Sequence, residues 1–256
     1  YDIKHGIGHW SSNLEWLLGY PDRALALAEQ SVARAGAVGQ PYLVAIAQTV
    51  GVSWVRFMRR EPDAAYQVAE LALATTEKYG FVEIKLAALF CLGIARLQAG
   101  LVDEGARVLK DAIAQSTERR SESNYSVIFG VAADCCRAVG RIDDARAWLN
   151  LALDFTARRP EGYWMADLHR VEGEVLLREA APAQRAEACF RKALDVARSQ
   201  QAKSLELRAA TSLARLWQKQ NRILEARDLL KPVYDWFTEG FDTPDLKDAK
   251  ALLDGL

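Results

Sequence analysis

The stretch "GRIDDA", Gly140–Ala145, decides the fold because related stretches return at a fixed interval along the chain. Each has a turn-like beginning and ends on a small residue, and the six end at Ala24, Ala65, Gly105, Ala145, Ala186 and Ala226. The differences between successive end points are 41, 40, 40, 41 and 40 residues. A period of about forty residues indicates a repeat protein, here with six units.

A second series of small residues lies upstream of each turn, in the same register. Its members are Ser12, Ser53, Gly93, Ala133, Gly173 and Ala214, and their separations are 41, 40, 40, 40 and 41 residues. Small side chains let two helices cross closely, so both series predict helix crossings. We therefore expect Ala145→Leu or Gly173→Leu to overpack a crossing, at about 1–3 kcal/mol.

Each unit is predicted to contain two helices. Apolar residues recur at steps of three and four, and no strand-like alternation competes with them, so the predicted fold is all-α. Residues suited to a left-handed helix end stand at the breaks, and Pro21 and Pro62 are expected to open second helices. Those break residues are Gly19, Gly100, Gly140 and Asn221.

The predicted architecture is one repeat domain over 1–256, a tetratricopeptide-like α-solenoid of six helix pairs with a C-terminal capping helix. HEAT repeats have a period nearer to forty, but the turn pattern and the absence of a proline kink within the first helices favour the tetratricopeptide-like class. The predicted repeats are 1–38, 39–80, 81–120, 121–159, 160–201 and 202–241, with the capping helix at 243–255.

Composition excludes several classes of function. The chain has 33 Lys and Arg against 34 Asp and Glu, whereas a general nucleic-acid binder would be basic. No apolar run approaches the roughly 20 residues of a membrane helix. The four cysteines show no CxxC spacing, which suits small apolar residues in the reducing cytoplasm. Because the sequence begins at Tyr1 and not at Met, we expect it to be part of a longer chain.

The first repeat carries an apolar stripe at Trp10, Leu14 and Leu17 with no preceding unit to cover it. Because solenoid ends need polar caps, either another helix pair of the parent chain or a second copy, as a homodimer, is expected to cover this stripe.

The last stretch, "WFTEGFDTPDLKDAKALL" from Trp236 to Leu253, is predicted to close the stack. We expect the preceding helix to stop at Gly240 and Phe241 to fold back on Trp236. Asp242 or Thr243 would then cap the final helix, with Pro244 in its first turn. Leu246, Ala249 and Leu253 would form its inward stripe.

The C-terminal strings also carry a family resemblance: "EGEVLL" (Glu172–Leu177), Ala186–Trp217 and Pro232–Leu253. They resemble the C-terminal repeat region of bacterial multidomain proteins, in which an adenylate or guanylate cyclase domain of class III precedes an AAA/STAND-type ATPase. The resemblance covers roughly the last 85 residues closely. It implies a regulatory or scaffolding module and no catalysis by this segment.

The sequence contains no recognisable catalytic or cofactor motif. There is no phosphate loop, no GxSxG elbow and no HExxH, and "GIGHW" (Gly6–Trp10) lacks a third glycine. His5 and His9 lie four residues apart, but nothing near them in sequence completes a metal site. Carboxylate pairs such as Asp143/Asp144 suit a solvated helix face. We therefore expect no enzyme activity, no cofactor and no metal.

The first helices are expected to line the binding groove of a tetratricopeptide-like stack. The small-residue register places apolar aromatic residues at one end and charged residues at the other, which would suit an acidic, partly hydrophobic peptide. The alternative is that the aromatic residues belong to the core and the arginines pair with neighbouring acids. The candidate residues are Trp54, Phe57, Phe90, Arg137, Arg170, Glu174, Arg208 and Arg215.

The sequence thus favours a protein–protein interaction or regulatory module of a bacterial signalling protein, whose partner is a protein, a peptide or another domain of the same chain. The alternative is a small-molecule sensor that controls an upstream ATPase or nucleotide cyclase.

Overall fold

A computed structural model describes residues 3–119, 124–159 and 162–256, with side chains from Trp10 onward. Within these ranges the chain forms fourteen α-helices, a π-helical segment and a 3-10 turn, and no strand. The prediction of an all-α chain is confirmed.

The chain divides into two compact units. The first unit comprises Tyr1–Trp16 and Tyr20–Ser123, and the second comprises Leu17–Gly19 and Asn124–Leu256.

The first unit consists of consecutive helices joined by short turns. Its central element is one continuous rod in which α3 leads into a π-helical segment and then α4. The rod packs against α2 and α5, and α6 packs against α5 and α7. The helices are α1 (Ile3–Leu17), α2 (Pro21–Val38), α3 (Pro41–Ile46), the π-helical segment (Ala47–Ser53), α4 (Trp54–Met58), α5 (Pro62–Tyr79), α6 (Val82–Gln98) and α7 (Val102–Glu118).

The second unit consists of three helical hairpins and a final helix. The hairpins are α8 with α9, α10 with α11, and α12 with α13, and the first helices also pack on one another in the order α8, α10, α12, α14. The bounds are α8 (Tyr125–Ala138), α9 (Ile142–Arg158), a 3-10 turn (Gly162–Trp164), α10 (Met165–Arg178), α11 (Ala183–Ser199), α12 (Lys203–Lys219), α13 (Ile223–Asp235) and α14 (Pro244–Asp254).

The helix ends follow the predicted turn chemistry. Gly100 and Gly140 have φ of +84° and +82°, and Asn221 has φ of +61°, so each occupies the left-handed conformation expected after a helix. After Gly140, the Arg141 N–H donates to the Cys136 carbonyl at 2.9 Å, which satisfies an otherwise free end of α8. Pro21 opens α2 in the same way that Pro62 opens α5.

Both series of small residues lie at close helix crossings. A Cβ atom added to Gly105 would lie 2.7 Å from the Gly93 carbonyl oxygen, and one added to Gly173 would lie 2.5 Å from the Phe190 ring. The Ser53 hydroxyl donates to the Ala65 carbonyl at 2.9 Å. All twelve positions are buried: Ser12, Ala24, Ser53, Ala65, Gly93, Gly105, Ala133, Ala145, Gly173, Ala186, Ala214 and Ala226.

The C-terminal stretch corrects one prediction. Helix α13 ends at Asp235, five residues before Gly240, because the chain turns there and buries Phe237 in the core. Gly240 does have a left-handed φ of +75°, but it lies within the connection to α14. The ring of Phe241 packs on Tyr234, with centroids 6.0 Å apart, and not on Trp236 as predicted.

The final helix begins where the sequence places it. Pro244 is its first residue, and the preceding Thr243 donates its hydroxyl to the Gly240 carbonyl at 2.6 Å. Thr243 therefore fastens the connection and makes no side-chain hydrogen bond to the N–H groups of α14. Leu246, Ala249 and Leu252 are buried in the core that α14 shares with α12 and α13.

Candidate interaction surface

The aromatic candidates of the first unit belong to its core. Phe57 is only 2% exposed, and Trp54 and Phe90 are also buried. Trp54 packs edge-to-face on Phe57, with ring centroids 4.6 Å apart. These side chains cannot anchor a partner in the structure described, which agrees with the core alternative left open by the sequence.

The π-helical segment Ala47–Ser53 is a feature that sequence reasoning missed. Three interactions accompany it: Thr49 donates its hydroxyl to the Ala45 carbonyl at 3.0 Å, the Asn13 amide donates to the Val50 carbonyl at 3.2 Å, and the Cys91 thiol lies 3.8 Å from the Thr49 carbonyl. Burial raises the pKa of Cys91 to about 12, so this thiol is structural and unreactive.

The charged candidates lie on the first helices of the second unit and are joined to one another. Arg170 on α10 has the central position: its Nε donates to Asp167 at 2.6 Å and its Nη2 donates to Asp134 on α8 at 2.7 Å. Arg170 is 7% exposed and Asp167 is 3% exposed, so these two opposite charges compensate each other inside the protein.

The charged chain continues in both directions from Arg170. Arg137 lies 2.7 Å from Asp134 and 3.9 Å from Glu174, and Glu174 also accepts the Ser212 hydroxyl at 2.7 Å. Glu174 thereby links α10 to α8 and α12.

The last member, Arg208 on α12, joins the final helix to the others. Its Nε lies 2.7 Å from Asp245 on α14, and its Nη1 lies 4.0 Å from Asp167. Seven charged residues on four helices thus form the inter-helix ion network: Asp134, Arg137, Asp167, Arg170, Glu174, Arg208 and Asp245.

The network shifts the titration of its members. Burial raises the pKa of Asp134, but Arg170 and Arg137 lower it by more, and the result lies well below the usual range. Burial lowers the pKa of Arg170, but Asp134 and Asp167 raise it by more, and the result lies well above the usual value. Both groups are therefore charged at neutral pH.

Arg215 is the exception among the predicted arginines. It is half-buried on α12, one turn beyond Ser212. Within the described ranges its guanidinium makes no hydrogen bond, ion pair or ring contact. Of the four arginine candidates, Arg137, Arg170 and Arg208 thus have carboxylate partners, and Arg215 has none among the residues that the structure describes.

Sequence reasoning missed three members of this surface: Asp167, Ser212 and Asp245. A local signal for the first was present, because Asp167 precedes Arg170 by three residues, as Asp134 precedes Arg137, and this spacing brings opposite charges together on a helix. No local spacing relates Asp245 to Arg208, which lies 37 residues earlier.

Other candidate chemistry has a structural explanation. His169 Nδ1 lies 3.6 Å from Glu172, and burial together with Glu172 raises the pKa of Cys189, which disfavours a thiolate nucleophile. Asp144 pairs with Arg141 at 2.6 Å. No group of three His, Cys, Asp or Glu residues is arranged to hold a metal ion in the described ranges. The side chains of His5 and His9 lie outside them.

Two further findings concern surfaces. Trp10 and Leu14 of the predicted N-terminal stripe are exposed, and Leu17 is half-buried. In the part of the chain that the structure describes, no helix combines the length and the apolar character that crossing a membrane requires.

Comparison with known proteins finds a solved structure with a fold similar to that of this chain. No family model and no curated protein matches the sequence. The crystal structure of BtubC (BKLC) from P. vanneervenii resembles this chain with a TM-score of 0.56 and 15% identity, over 92% of this chain and 93% of that chain. At this level of identity the similarity concerns the fold alone.

Proposed function

We propose that this chain is a non-catalytic protein–protein interaction module that binds a peptide segment of its partner along the first helices of the second unit. Its repeats would be six tetratricopeptide-like helix pairs closed by α14. The module would serve a bacterial signalling protein in the cytoplasm that also carries a cyclase or ATPase domain. The resemblance of Glu172–Leu177, Ala186–Trp217 and Pro232–Leu253 to the repeat region of such proteins supports this part of the proposal.

The observation that carries this proposal is the inter-helix ion network. It extends over α8, α10, α12 and α14. Arg170 and Asp167 are buried at its centre, whereas Asp134, Arg137 and Glu174 remain partly exposed to a partner. Each arginine of the network pairs with two carboxylates, so its side chain is already ordered before a partner binds. Binding therefore costs less side-chain conformational entropy. A surface with fixed polar groups suits recognition of an extended chain.

The charge balance of the network also limits the type of partner. Three arginines face four carboxylates, so the network itself attracts neither polyanions nor polycations strongly. Such a surface favours a partner with mixed charge, as protein segments have, over a nucleic acid.

A peptide array tests the proposal. The full chain is applied to random octapeptides with blocked ends, and hits are measured in solution by fluorescence anisotropy. We expect a subset of peptides to bind, and the double variant Arg137→Gln/Arg208→Gln, which leaves the buried pair of Arg170 and Asp167 intact, to weaken their binding, with circular dichroism as the check on folding.

Two controls separate the alternatives. A screen of nucleotides and metabolites for a rise in the melting temperature tests the sensor hypothesis, because a ligand of the native state stabilises it. Cyclase and ATPase assays test for an enzyme. The proposal is wrong if no peptide binds, or if a metabolite stabilises the chain while every peptide is inert.

A further inference from the structure

Arg215 occupies an unusual position on the proposed binding surface. It follows Arg208 by seven residues on α12, which places both on the same side of the helix. Arg208 has two carboxylate neighbours at 2.7 and 4.0 Å, whereas Arg215 has none in the ranges described. Partial burial removes water from the Arg215 guanidinium, and no counter-charge in the described ranges compensates that lost hydration.

The neighbouring helix supplies a second free cation at the same end of the surface. The contacts of Asp167 with Arg208 and of Glu174 with Ser212 show that α10 and α12 run in the same direction. One turn further along, helical periodicity puts Arg178 on the side of α10 that carries Glu174, and Arg215 on the side of α12 that carries Ser212. Arg178 is exposed and likewise has no ion-pair partner in the described chain.

The rest of the surface limits which anion can bind there. The three arginines of the network already pair with its four carboxylates, so the further negative charges of a polyanion would meet no free cation there and a small net repulsion. A single carboxylate avoids this repulsion and matches the planar guanidinium with two parallel hydrogen bonds.

We propose that Arg215, assisted by Arg178, forms the subsite for an Asp or Glu side chain of the bound peptide. This inference rests on the proposed function and adds a chemical requirement to it. Arg137, Arg170 and Arg208 then keep the helices and the polar groups of the surface in position. Arg215 binds the carboxylate of the peptide.

The test compares octapeptides that differ by a single charge. Each array hit with a Glu residue is measured beside its Gln counterpart, for the wild type and for Arg215→Gln. We expect a preference of about tenfold for Glu in the wild type, equivalent to about 1.4 kcal/mol, and none in Arg215→Gln. The preference should also weaken as salt is added.

Matched variants exclude a general effect of charge or of folding. Lys247→Gln removes one positive charge from the exposed side of α14 and should keep the full preference. Arg215→Lys keeps the charge without the planar fork and should keep part of it. The same peptides are also measured with a free C-terminal carboxylate. If binding depends on that carboxylate and not on the Glu side chain, the assignment of Arg215 to an Asp or Glu side chain is wrong.

The outcomes are distinguishable. If peptides bind but Arg215→Gln keeps the preference for Glu, this inference is wrong and the proposed function stands. If no octapeptide binds the wild type at all, both are wrong.

Discussion

The two units share one pattern of small residues but fill their first helices differently. In the first unit the first-helix positions hold buried aromatic side chains around a π-helical segment, as at Phe57. In the second unit the corresponding helices carry the inter-helix ion network. The small residues at the crossings therefore set the helix packing, and the remaining positions are free to become core or polar surface.

The buried arginines show the same contrast. Arg59 in the first unit is 4% exposed and binds Asp22 and Glu61, but the side chain of Asp22 is 50% exposed. Arg170 binds Asp167, which is 3% exposed and cannot turn to water. Loss of the arginine should therefore leave a buried charge only in the second unit.

This difference gives the largest predicted effect. We expect Arg170→Met to lower the free energy of unfolding by about 3 kcal/mol, because Asp167 then keeps only the distant Arg208. Arg59→Met should cost about 1 kcal/mol, since its partners reach solvent. Urea unfolding of both variants measures this. Equal losses would contradict the contrast between the units.

A smaller effect should be common to both units, since both use small residues at helix crossings. Gly173→Leu would drive a side chain into Phe190, and Gly93→Leu would drive one into Leu109, so each should cost about 2 kcal/mol. Gly36→Leu is the matched control, because a Cβ at Gly36 meets no atom within 4 Å. Thermal melts compare the three, and a loss for Gly36→Leu as large as for Gly173→Leu would refute the packing account.

Part of the pH dependence of stability should come from the ion network. The pKa of Asp134 is lowered in the folded state, so its contribution is present above the unfolded pKa of about 4 and is lost as the pH falls through the folded value. We expect the wild type to lose about 1 kcal/mol more than Asp134→Asn between pH 5 and pH 2. Urea unfolding at several pH values, with hydrogen exchange to locate the loss, measures this. Identical pH profiles would show that Asp134 does not contribute.

Much of the fold could be predicted because its signals are local. The turn residues Gly100 and Gly140 and the small residues Gly93 and Gly173 act on their own helix or the next one, so spacing alone reveals them. Pro244 likewise marks the start of α14. The π-helical segment could not be predicted, since no simple motif distinguishes "AQTVGVS" from an ordinary helix.

The surface was harder to predict because its decisive contacts are distant in sequence. Arg208 and Asp245 lie 37 residues apart, and Arg170 and Asp134 lie 36 apart. A helical register places such residues on one face, but which charges meet depends on side-chain conformations and on the offset between helices. For the same reason the sequence could not separate Arg215 from the other arginines.

The central claim is that the ion network holds Arg137, Arg170 and Arg208 in place and that Arg215 is left open to a partner. Side-chain NMR relaxation of the arginine Nε–H groups in the free protein tests it most directly. The account predicts rigid, slowly exchanging Nε–H groups at Arg137, Arg170 and Arg208, and a mobile one at Arg215. An Arg215 group as rigid as that of Arg170, or a mobile Arg170, would contradict it.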